Sequence, residues 1–335
     1  MLDVDPRAAA FRQSSFLRVF CCDCPSPFHR SQRSPGVALD FPPRLHANAR
    51  LMKLLLALAF FAASLPLRAA DPLPDNLKQG QFVIGCQAWT FNRFSVFEAI
   101  EKTAATGAKT IEFFPGQKLS AEQKDVKFDH NAAPEVWDKV KAKLKEHGIT
   151  PVAYGVVGLS KAEAASRKGF EFAKSFGIRV INTESVDAID TFEKLVKEYD
   201  IKVGFHDHPK RPDHPEYRMW DPNYILEVCK DRDARIGSCA DTGHWVRSGL
   251  KPVDALRILK GRIMSSHLKD LNEENPKAHD VPYGTGVSDV KGILDEFAAQ
   301  GFTGPISIEY EFKQEDNLAE AKLCIEFVRG YTPKK

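Results

Sequence analysis

Apolar and polar positions alternate along residues 81–331 in two patterns that repeat eight times. Mostly continuous apolar runs predict buried strands, and they cover residues 81–89, 109–114, 149–157, 178–184, 201–208, 235–241, 262–270 and 304–311. The segments between them predict helices over residues 96–107, 134–148, 160–177, 188–199, 221–230, 251–261, 288–301 and 316–330. In the second of these helices, for example, Val136, Val140 and Leu144 recur every four positions.

Several predicted helices carry recognisable end signals. Pro134 stands in a first turn, and Gly148 ends the same helix. Asp221 and Pro222 start another helix. Two N-terminal caps are also predicted: a capping box formed by Ser160 and Glu163, and an N-cap at Ser288. These signals set the element boundaries that the structure tests.

Strict alternation of strand and helix predicts parallel strands joined by crossover helices. Eight such units in about 250 residues match the closed (β/α)8 TIM barrel, an α/β fold of one domain. The barrel is expected over residues 81–331, after a short lead-in over 71–80. An open doubly wound sheet is the alternative, but no GxGxxG follows the first strand. The longest loops, 115–133 and 271–287, follow C-terminal strand ends, where barrels carry their active sites.

Residues 52–71, MKLLLALAFFAASLPLRAAD, have the layout of a secretory signal peptide. Lys53 precedes an apolar stretch from Leu54 to Leu65, and small residues stand at 69 and 70, although Arg68 is unfavourable for cleavage there. We therefore expect a signal peptide over 52–70, cleavage near Ala70, and export to the periplasm or the medium. Residues 1–51 are then interpreted as a non-native extension ahead of a true start at Met52.

The charge balance and the positions of the cysteines argue against some classes of function. Of the 47 basic and 45 acidic residues in the chain, 38 and 41 lie after residue 70, so the mature protein is slightly acidic. It lacks the basic balance typical of nucleic-acid binding, and no apolar run predicts a membrane span in the mature chain. Its four cysteines, at 86, 229, 239 and 324, form no CxxC pair and are interpreted as buried small hydrophobes.

Polar residues stand at or near the ends of most of the predicted strands. They are Glu112, Glu184, His206, Asp207, His208, Asp241, His244, His267, Lys269, Asp270, Glu309 and Glu311. In a barrel these ends converge on one rim, and an isolated carboxylate or imidazole buried there is costly. Carboxylates interleaved with imidazoles are stabilised by a divalent cation, which takes nitrogen and oxygen ligands together. The pattern therefore predicts a metal centre whose ion could be Mn, Mg, Co or Zn.

The strand-end motifs carry a resemblance to a known family. They are GFHDHP, CADTGHW, SSHLKD, the GTG of VPYGTG, and GFTGPISIEYE. With the barrel pattern over 81–331, the chain resembles the xylose isomerase-like superfamily of sugar isomerases and epimerases, a group similar to tagatose 3-epimerase, inosose dehydratase and endonuclease IV. The resemblance implies metal ligands at Asp241, His267 and Glu309, with His244 contacting the substrate.

One position departs from the family pattern. The strand-five glutamate of the epimerases, which pairs with the strand-eight glutamate as acid and base, is His206 here. The resemblance makes His206 the fourth ligand, but an imidazole cannot serve as a carboxylate base. Glu184, one strand earlier, could supply the missing carboxylate as a base or could be a further ligand. The two-glutamate mechanism is therefore not expected to apply unchanged.

The implied chemistry is enolisation of a sugar or sugar derivative. A Lewis-acidic ion polarises a carbonyl, a carboxylate removes the neighbouring proton, and an enediolate forms. Glu309 and Glu184 are candidates for proton transfer, and Lys269 could stabilise an oxyanion. Glu112 and His208 could bind sugar hydroxyls, and Trp89 could stack on a sugar face. These residue types suit isomerisation and epimerisation alike.

Three other functions remain open. A lyase or dehydratase on a keto-sugar or keto-glycoside would use the same enolisation, and export slightly favours it. A hydrolase like endonuclease IV needs more metal ligands and a basic DNA-binding face. A sugar-binding barrel without catalysis is the last alternative. The sequence specifies neither the oligomeric state nor whether phosphate is recognised.

Overall fold

The computed structural model describes residues 72–312 and 315–334. The predicted signal peptide and the proposed extension lie outside these residues. Eight strands form a closed parallel barrel, as the alternating pattern predicted. They are β1 (Ile84–Gln87), β2 (Thr110–Phe113), β5 (Thr150–Tyr154), β6 (Val180–Thr183), β7 (Lys202–His206), β8 (Ile236–Asp241), β9 (Ile263–Leu268) and β12 (Ile306–Ile308).

Hydrogen bonding closes the barrel in the order β1-β12-β9-β8-β7-β6-β5-β2. The register decides which strand ends meet. Asp241 at the end of β8 pairs with His267 of β9, and His267 in turn pairs with Ser307 of β12. On the other side of β8, Cys239 pairs with His206 at the end of β7. Four consecutive strands of the closed sheet thus bring their polar ends to one rim.

Nine helices flank the strands in the described part of the chain. They are α1 (Val96–Ala105), α2 (Pro134–His147), α3 (Glu163–Phe176), α4 (Ile189–Tyr199), α5 (Pro222–Cys229), α6 (Thr242–Arg247), α7 (Pro252–Ile258), α8 (Val290–Ala299) and α9 (Leu318–Gly330). The main apolar core lies where their inner faces pack on the barrel. Within the described residues, no helix is long and apolar enough to cross a membrane.

Most helix-end signals are confirmed, and two caps are wrong. Helix α3 begins at Glu163 after Ala162, so the predicted capping box does not form, and the Ser160 hydroxyl instead accepts from the Ala162 amide at 3.1 Å. Helix α8 is capped by Asp289, at φ 55°, rather than by Ser288. The Ser288 hydroxyl accepts from the Leu271 amide, 17 residues earlier in the chain. Each serine hydroxyl thus accepts from a different amide than the predicted cap requires, and the helical pattern does not encode that choice.

Two long loops contain small hairpins that the sequence did not predict. Strands β3 (Gln117–Lys118) and β4 (Lys127–Phe128) pair in the first loop, and β10 (Asp270–Leu271) pairs with β11 (Asp280–Val281) in the second. The short helix α6, directly after β8, was also missed because six residues show too little periodicity. The four cysteines in the described part of the chain are all free and buried, as predicted.

Candidate functional site

Four buried side chains converge at the carboxyl end of the barrel. They are His206, Asp241, His267 and Glu309, and each offers one ligand atom within 4.8 Å of the others. The strands β7, β8 and β9 supply the first three, and the fourth follows β12 directly. The predicted metal ligands are therefore brought together by the register of four consecutive strands.

The donor atoms of this cluster fit a divalent cation. His206 Nε2 lies 3.1 Å from His267 Nδ1, which lies 3.2 Å from Glu309 Oε2. Asp241 Oδ2 is fully buried, lies 3.6 Å from His206 Nε2 and is paired with the Lys269 ammonium at 3.0 Å. Buried carboxylate oxygens that face imidazole nitrogens at these distances form an arrangement that a divalent cation stabilises by binding both kinds of donor. Nitrogen and oxygen donors in this combination suit zinc, manganese or a similar ion.

Lys269 lies inside the same charge network. Its ammonium is 3.0 Å from Asp241 Oδ2, 2.8 Å from Glu309 Oε2 and 2.7 Å from Glu311 Oε2. Burial lowers the pKa of Lys269, but the surrounding carboxylates outweigh it and raise the pKa well above its usual value. Burial likewise raises the pKa of Glu309, while Lys269 and His267 lower it well below normal. The lysine is therefore a permanent cation, and Glu309 is ionised at neutral pH.

Glu112 lies behind His267 instead of facing a substrate. Its Oε1 is 3.1 Å from His267 Nε2 and accepts from the Asn182 amide at 2.8 Å, while its Oε2 accepts from the Ser307 hydroxyl at 2.6 Å. This arrangement fixes the His267 tautomer that points Nδ1 at the other ligands. Glu112 is fully buried and lines no part of the cavity described below, so its position does not fit the predicted contact with sugar hydroxyls.

Glu184 and His208 form a second pair near the cluster. Glu184 Oε1 contacts His208 Nδ1, and Glu184 Oε2 accepts from the Tyr217 hydroxyl at 3.0 Å. Burial raises the pKa of Glu184, but its contacts with His208 and Tyr217 and the charge of His206 lower it overall. With His206, the pair also makes a second group of possible metal ligands. The carboxylate holds the imidazole in place, so the histidine is the more exposed partner for chemistry.

Asp241 and His244 are linked through the start of α6. Asp241 Oδ1 accepts from the His244 amide at 2.8 Å and caps the helix, which leaves Oδ2 for the cluster. Burial lowers the pKa of His244 well below its ordinary value despite the nearby Asp241. The ring is therefore neutral, and its Nδ1 accepts from Arg247 at 3.1 Å. The DxxH spacing thus places Asp241 in the cluster and His244 in the lining of the cavity described next.

A cavity of about 290 Å³ opens beside the cluster. Its lining residues are Gln87, Trp89, Phe114, Pro115, Val156, His206, His208, His244, Glu309 and Glu311. Five of the predicted site residues are thus brought to one cavity: Trp89, His206, His208, His244 and Glu309. The other five predicted site residues do not line this cavity and act on it only through the contacts described above: Glu112, Glu184, Lys269, Asp241 and His267. We name this space the inner cavity.

Comparison with known proteins fits this geometry. The family model described as a xylose isomerase-like TIM barrel matches residues 100–329. The chain belongs to the xylose isomerase-like TIM barrel family. Its fold is similar to that of an uncharacterised protein from Parabacteroides distasonis, with 31% identity, a TM-score of 0.58, and coverage of 73% of this chain and 97% of that one. No curated protein matches.

Two further solved structures share the family fold at lower identity. A xylose isomerase-like TIM barrel protein from Mycobacterium smegmatis in complex with magnesium is 14% identical, with a TM-score of 0.57 over 74% of this chain and 96% of that one. An L-ribulose 3-epimerase is 16% identical, with a TM-score of 0.53 over 73% and 92%. At these identities the comparison shows the fold.

Sequence reasoning missed several residues that shape the site of this family member. Tyr217 lies in the long connection after β7, where no periodicity marks it. Arg247 donates to His244 from the same helix, α6, and Asn182 on β6 donates to Glu112. Glu311 was noted at a strand end, but its partners were not predicted: Trp89 Nε1 donates to it at 3.1 Å. Only three-dimensional proximity identifies these contacts.

Removing the charge of Glu112 tests the orientation of His267. We expect Glu112→Gln to keep the hydrogen bonds of the site while weakening metal binding by about 10–100-fold, the usual effect of losing a carboxylate behind a ligating histidine. Metal affinity would be measured by equilibrium dialysis and elemental analysis. Glu320→Gln, at another buried glutamate on α9, is the control. Equal affinities of the two variants would contradict the role given to Glu112.

The raised pKa of Asp280 should make the stability of the folded protein depend on pH. Burial raises its pKa from 3.8 to about 6, against the opposing charges of Lys269 and Arg247. Because the folded-state pKa is the higher one, the contribution of Asp280 is complete below about pH 4 and is lost as the pH rises through 6. The unfolding free energy of the wild type relative to Asp280→Asn should thus fall by about 3 kcal/mol from pH 4 to pH 7.

Urea unfolding of both proteins at several pH values measures this difference. Asp231→Asn, at an exposed position, is the control for replacing an aspartate by asparagine. A stability difference for Asp280→Asn that does not change with pH would contradict the raised pKa of this carboxyl group.

Proposed function

We propose that this protein is a divalent-metal-dependent isomerase or epimerase that acts on a sugar or sugar derivative through an enediolate. The single observation that carries the proposal is the buried cluster of His206, Asp241, His267 and Glu309, of which His206 and Glu309 line the inner cavity. A cation bound there would polarise a carbonyl and increase the acidity of the adjacent C–H. The carboxyl-end location is where barrel enzymes hold their reacting groups.

The side chains of the inner cavity supply two different proton-transfer groups. Glu309 is ionised and can accept a proton from carbon. His208 Nδ1 contacts the Glu184 carboxylate, which leaves Nε2 to receive or return a proton. The sequence suggested Glu184 as the second proton-transfer group, but in this proposal Glu184 orients His208, and the imidazole carries the proton. General acid–base catalysis of this kind contributes about 10²–10⁴ in rate.

One cation and one hydrogen-bond donor stabilise the negative charge that develops on the substrate. Lys269 is a permanent cation 2.8 Å from the Glu309 carboxylate, and its charge favours an oxyanion near the cluster. His244 is neutral, and because Arg247 donates to its Nδ1, its Nε2 carries the proton and can donate to a sugar oxygen. Trp89, at the edge of the inner cavity, offers an apolar face to the sugar ring.

A lyase acting on a keto-sugar or keto-glycoside is the second candidate. The observation that favours it is the pairing of a carboxylate with an imidazole in place of two glutamates. An imidazolium at His208 is a better proton donor to a leaving alkoxide than a carboxylate would be. The same enolisation then ends in loss of a β-substituent instead of return of the proton to carbon.

Solvent exchange tests both candidates. The protein would be incubated with Mn²⁺ in D₂O and a panel of free sugars, sugar phosphates and keto-glycosides, with a chelator-treated control. Metal-dependent uptake of deuterium at carbon, read by mass spectrometry, is the expected result. An unchanged product mass apart from deuterium identifies isomerisation or epimerisation, and a lower mass identifies elimination. No uptake with any compound would contradict enolisation.

Export is part of the proposal. The signal-peptide pattern over 52–70 supports a mature enzyme that begins near Asp71 and meets its substrate outside the cytoplasm. Sequencing the N-terminus of the native protein tests this directly. Native peptides from residues 1–51 would contradict both the processing and the start at Met52.

A further inference from the structure

A second cavity lies next to the inner cavity. It has a volume of about 400 Å³, and its lining includes Trp89, Asn92, Glu311, Glu315, Asp316 and Asn317. Trp89 and Glu311 line both cavities, and the indole Nε1 donates to the Glu311 carboxylate at 3.1 Å. This hydrogen-bonded pair is therefore the partition between the two spaces. We name the second space the outer cavity.

Trp89 presents an apolar surface to both cavities. Its side chain is 41% exposed, and its ring packs edge-on against Phe114 at 4.9 Å between centroids. The hydrogen bond to Glu311, which also accepts from Lys269 at 2.7 Å, fixes the orientation of the indole. A rigid exposed aromatic ring with satisfied polar atoms suits stacking against the C–H face of a sugar.

Asn317 is a fixed part of the lining of the outer cavity. Its side chain is only 4% exposed, and its Nδ2 donates to the carbonyl oxygens of Thr90 and Tyr310 at 3.0 and 2.9 Å. These two hydrogen bonds hold this part of the lining in place.

The charged groups of the outer cavity indicate what it can bind. Glu311, Glu315 and Asp316 contribute carboxylates to its lining, and Arg93 contributes a guanidinium. Two of the three carboxylates, those of Glu311 and Asp316, are paired with lysine ammonium groups. Carboxylates accept hydrogen bonds from hydroxyl groups, and a guanidinium donates to hydroxyl oxygens. The lining therefore suits a polyhydroxy compound.

We propose that the outer cavity is a second sugar subsite and that the substrate is a glycoside with at least two rings. One ring lies in the inner cavity beside the cluster, and the other lies beyond the Trp89–Glu311 partition with its hydroxyls toward the carboxylates and Arg93. The assignment of the first ring rests on the proposed function. The assignment of the second rests on the outer cavity alone.

Binding of matched sugars to the wild-type protein tests the subsite. The probes are glucose and cellobiose, galactose and lactose, and mannose and mannobiose, titrated by calorimetry with and without Mn²⁺. In at least one pair, we expect the disaccharide to bind about tenfold more tightly than its monosaccharide, the effect of one hydrogen bond to a charged group.

A filling variant separates the outer cavity from the inner one. Asn92 lines only the outer cavity and is exposed, so Asn92→Trp should cancel the disaccharide advantage and leave monosaccharide affinity within about twofold. Asn223→Trp, at an exposed asparagine on α5, should keep the advantage. Equal affinity of mono- and disaccharides for the wild type, or an advantage that survives Asn92→Trp, would overturn the proposal.

Deuterium exchange keeps this proposal distinct from the proposed function. Exchange with monosaccharides but no disaccharide advantage would leave the enolisation chemistry standing and remove the second subsite. A disaccharide advantage that Asn92→Trp cancels, with no exchange for any sugar, would support the subsite and contradict the enolisation chemistry.

Discussion

Replacing Asp241 by asparagine is expected to weaken metal binding by at least about 100-fold and to remove activity. The change leaves Oδ1, which caps α6 by accepting from the His244 amide, and it removes the charge at Oδ2. That oxygen is buried, is paired with the Lys269 ammonium and faces the imidazole nitrogens of His206 and His267. Loss of a direct ligand should exceed the 10–100-fold typical of its supporting groups.

Loss of the cation removes several kcal/mol of transition-state stabilisation, so turnover should fall on the order of a thousandfold or more. Metal content by elemental analysis and deuterium exchange at carbon measure the two effects separately. Asp221→Asn makes the same exchange at the N-cap of α5 and should change neither quantity. Full metal content in Asp241→Asn would exclude Asp241 as a ligand.

The barrel could be predicted from the sequence because the buried strands and the amphipathic helices have different periods. The same alternation indicated which residues stand at strand ends, so His206, Asp241 and His267 could be grouped before their distances were known. Asp241 and His267 are direct partners because of the register of the hydrogen bonds between β8 and β9. No local sequence pattern specifies this register. The two wrong caps, at Ser160 and Ser288, failed for the related reason that a hydroxyl can bind several nearby amides.

The sequence predicted where the site residues lie better than it predicted what each of them contacts. Glu112 and Glu184 both stand at strand ends, yet each contacts a histidine and leaves the substrate-facing role to other groups. Whether a carboxylate faces a cavity or a neighbouring imidazole depends on side-chain direction at the last residue of a strand. Tyr217, which fixes Glu184 from a loop more than thirty residues away in sequence, could be found only in the folded chain.

Replacing His208 by asparagine is expected to lower turnover by about 10²–10⁴ while metal binding is retained. The asparagine amide can take the place of Nδ1 and keep the contact with Glu184, but it removes Nε2, the atom that faces the inner cavity. Glu184→Gln should lower turnover less, because the imidazole remains and loses only its charged partner. Both variants should flatten the pH profile of turnover, which a purely structural role would leave unchanged.

His214 supplies the matched control, since its Nδ1 also contacts a glutamate, Glu216 at 3.2 Å, but on the protein surface. His214→Asn should leave turnover, metal content and pH profile as in the wild type. The decisive comparison is the metal content of His208→Asn. If metal and activity fell together, the second ligand group of Glu184, His206 and His208 would be a metal site, and the proton-transfer role of His208 would be wrong. If activity alone fell, the imidazole carries the proton that the epimerase pattern assigns to a glutamate.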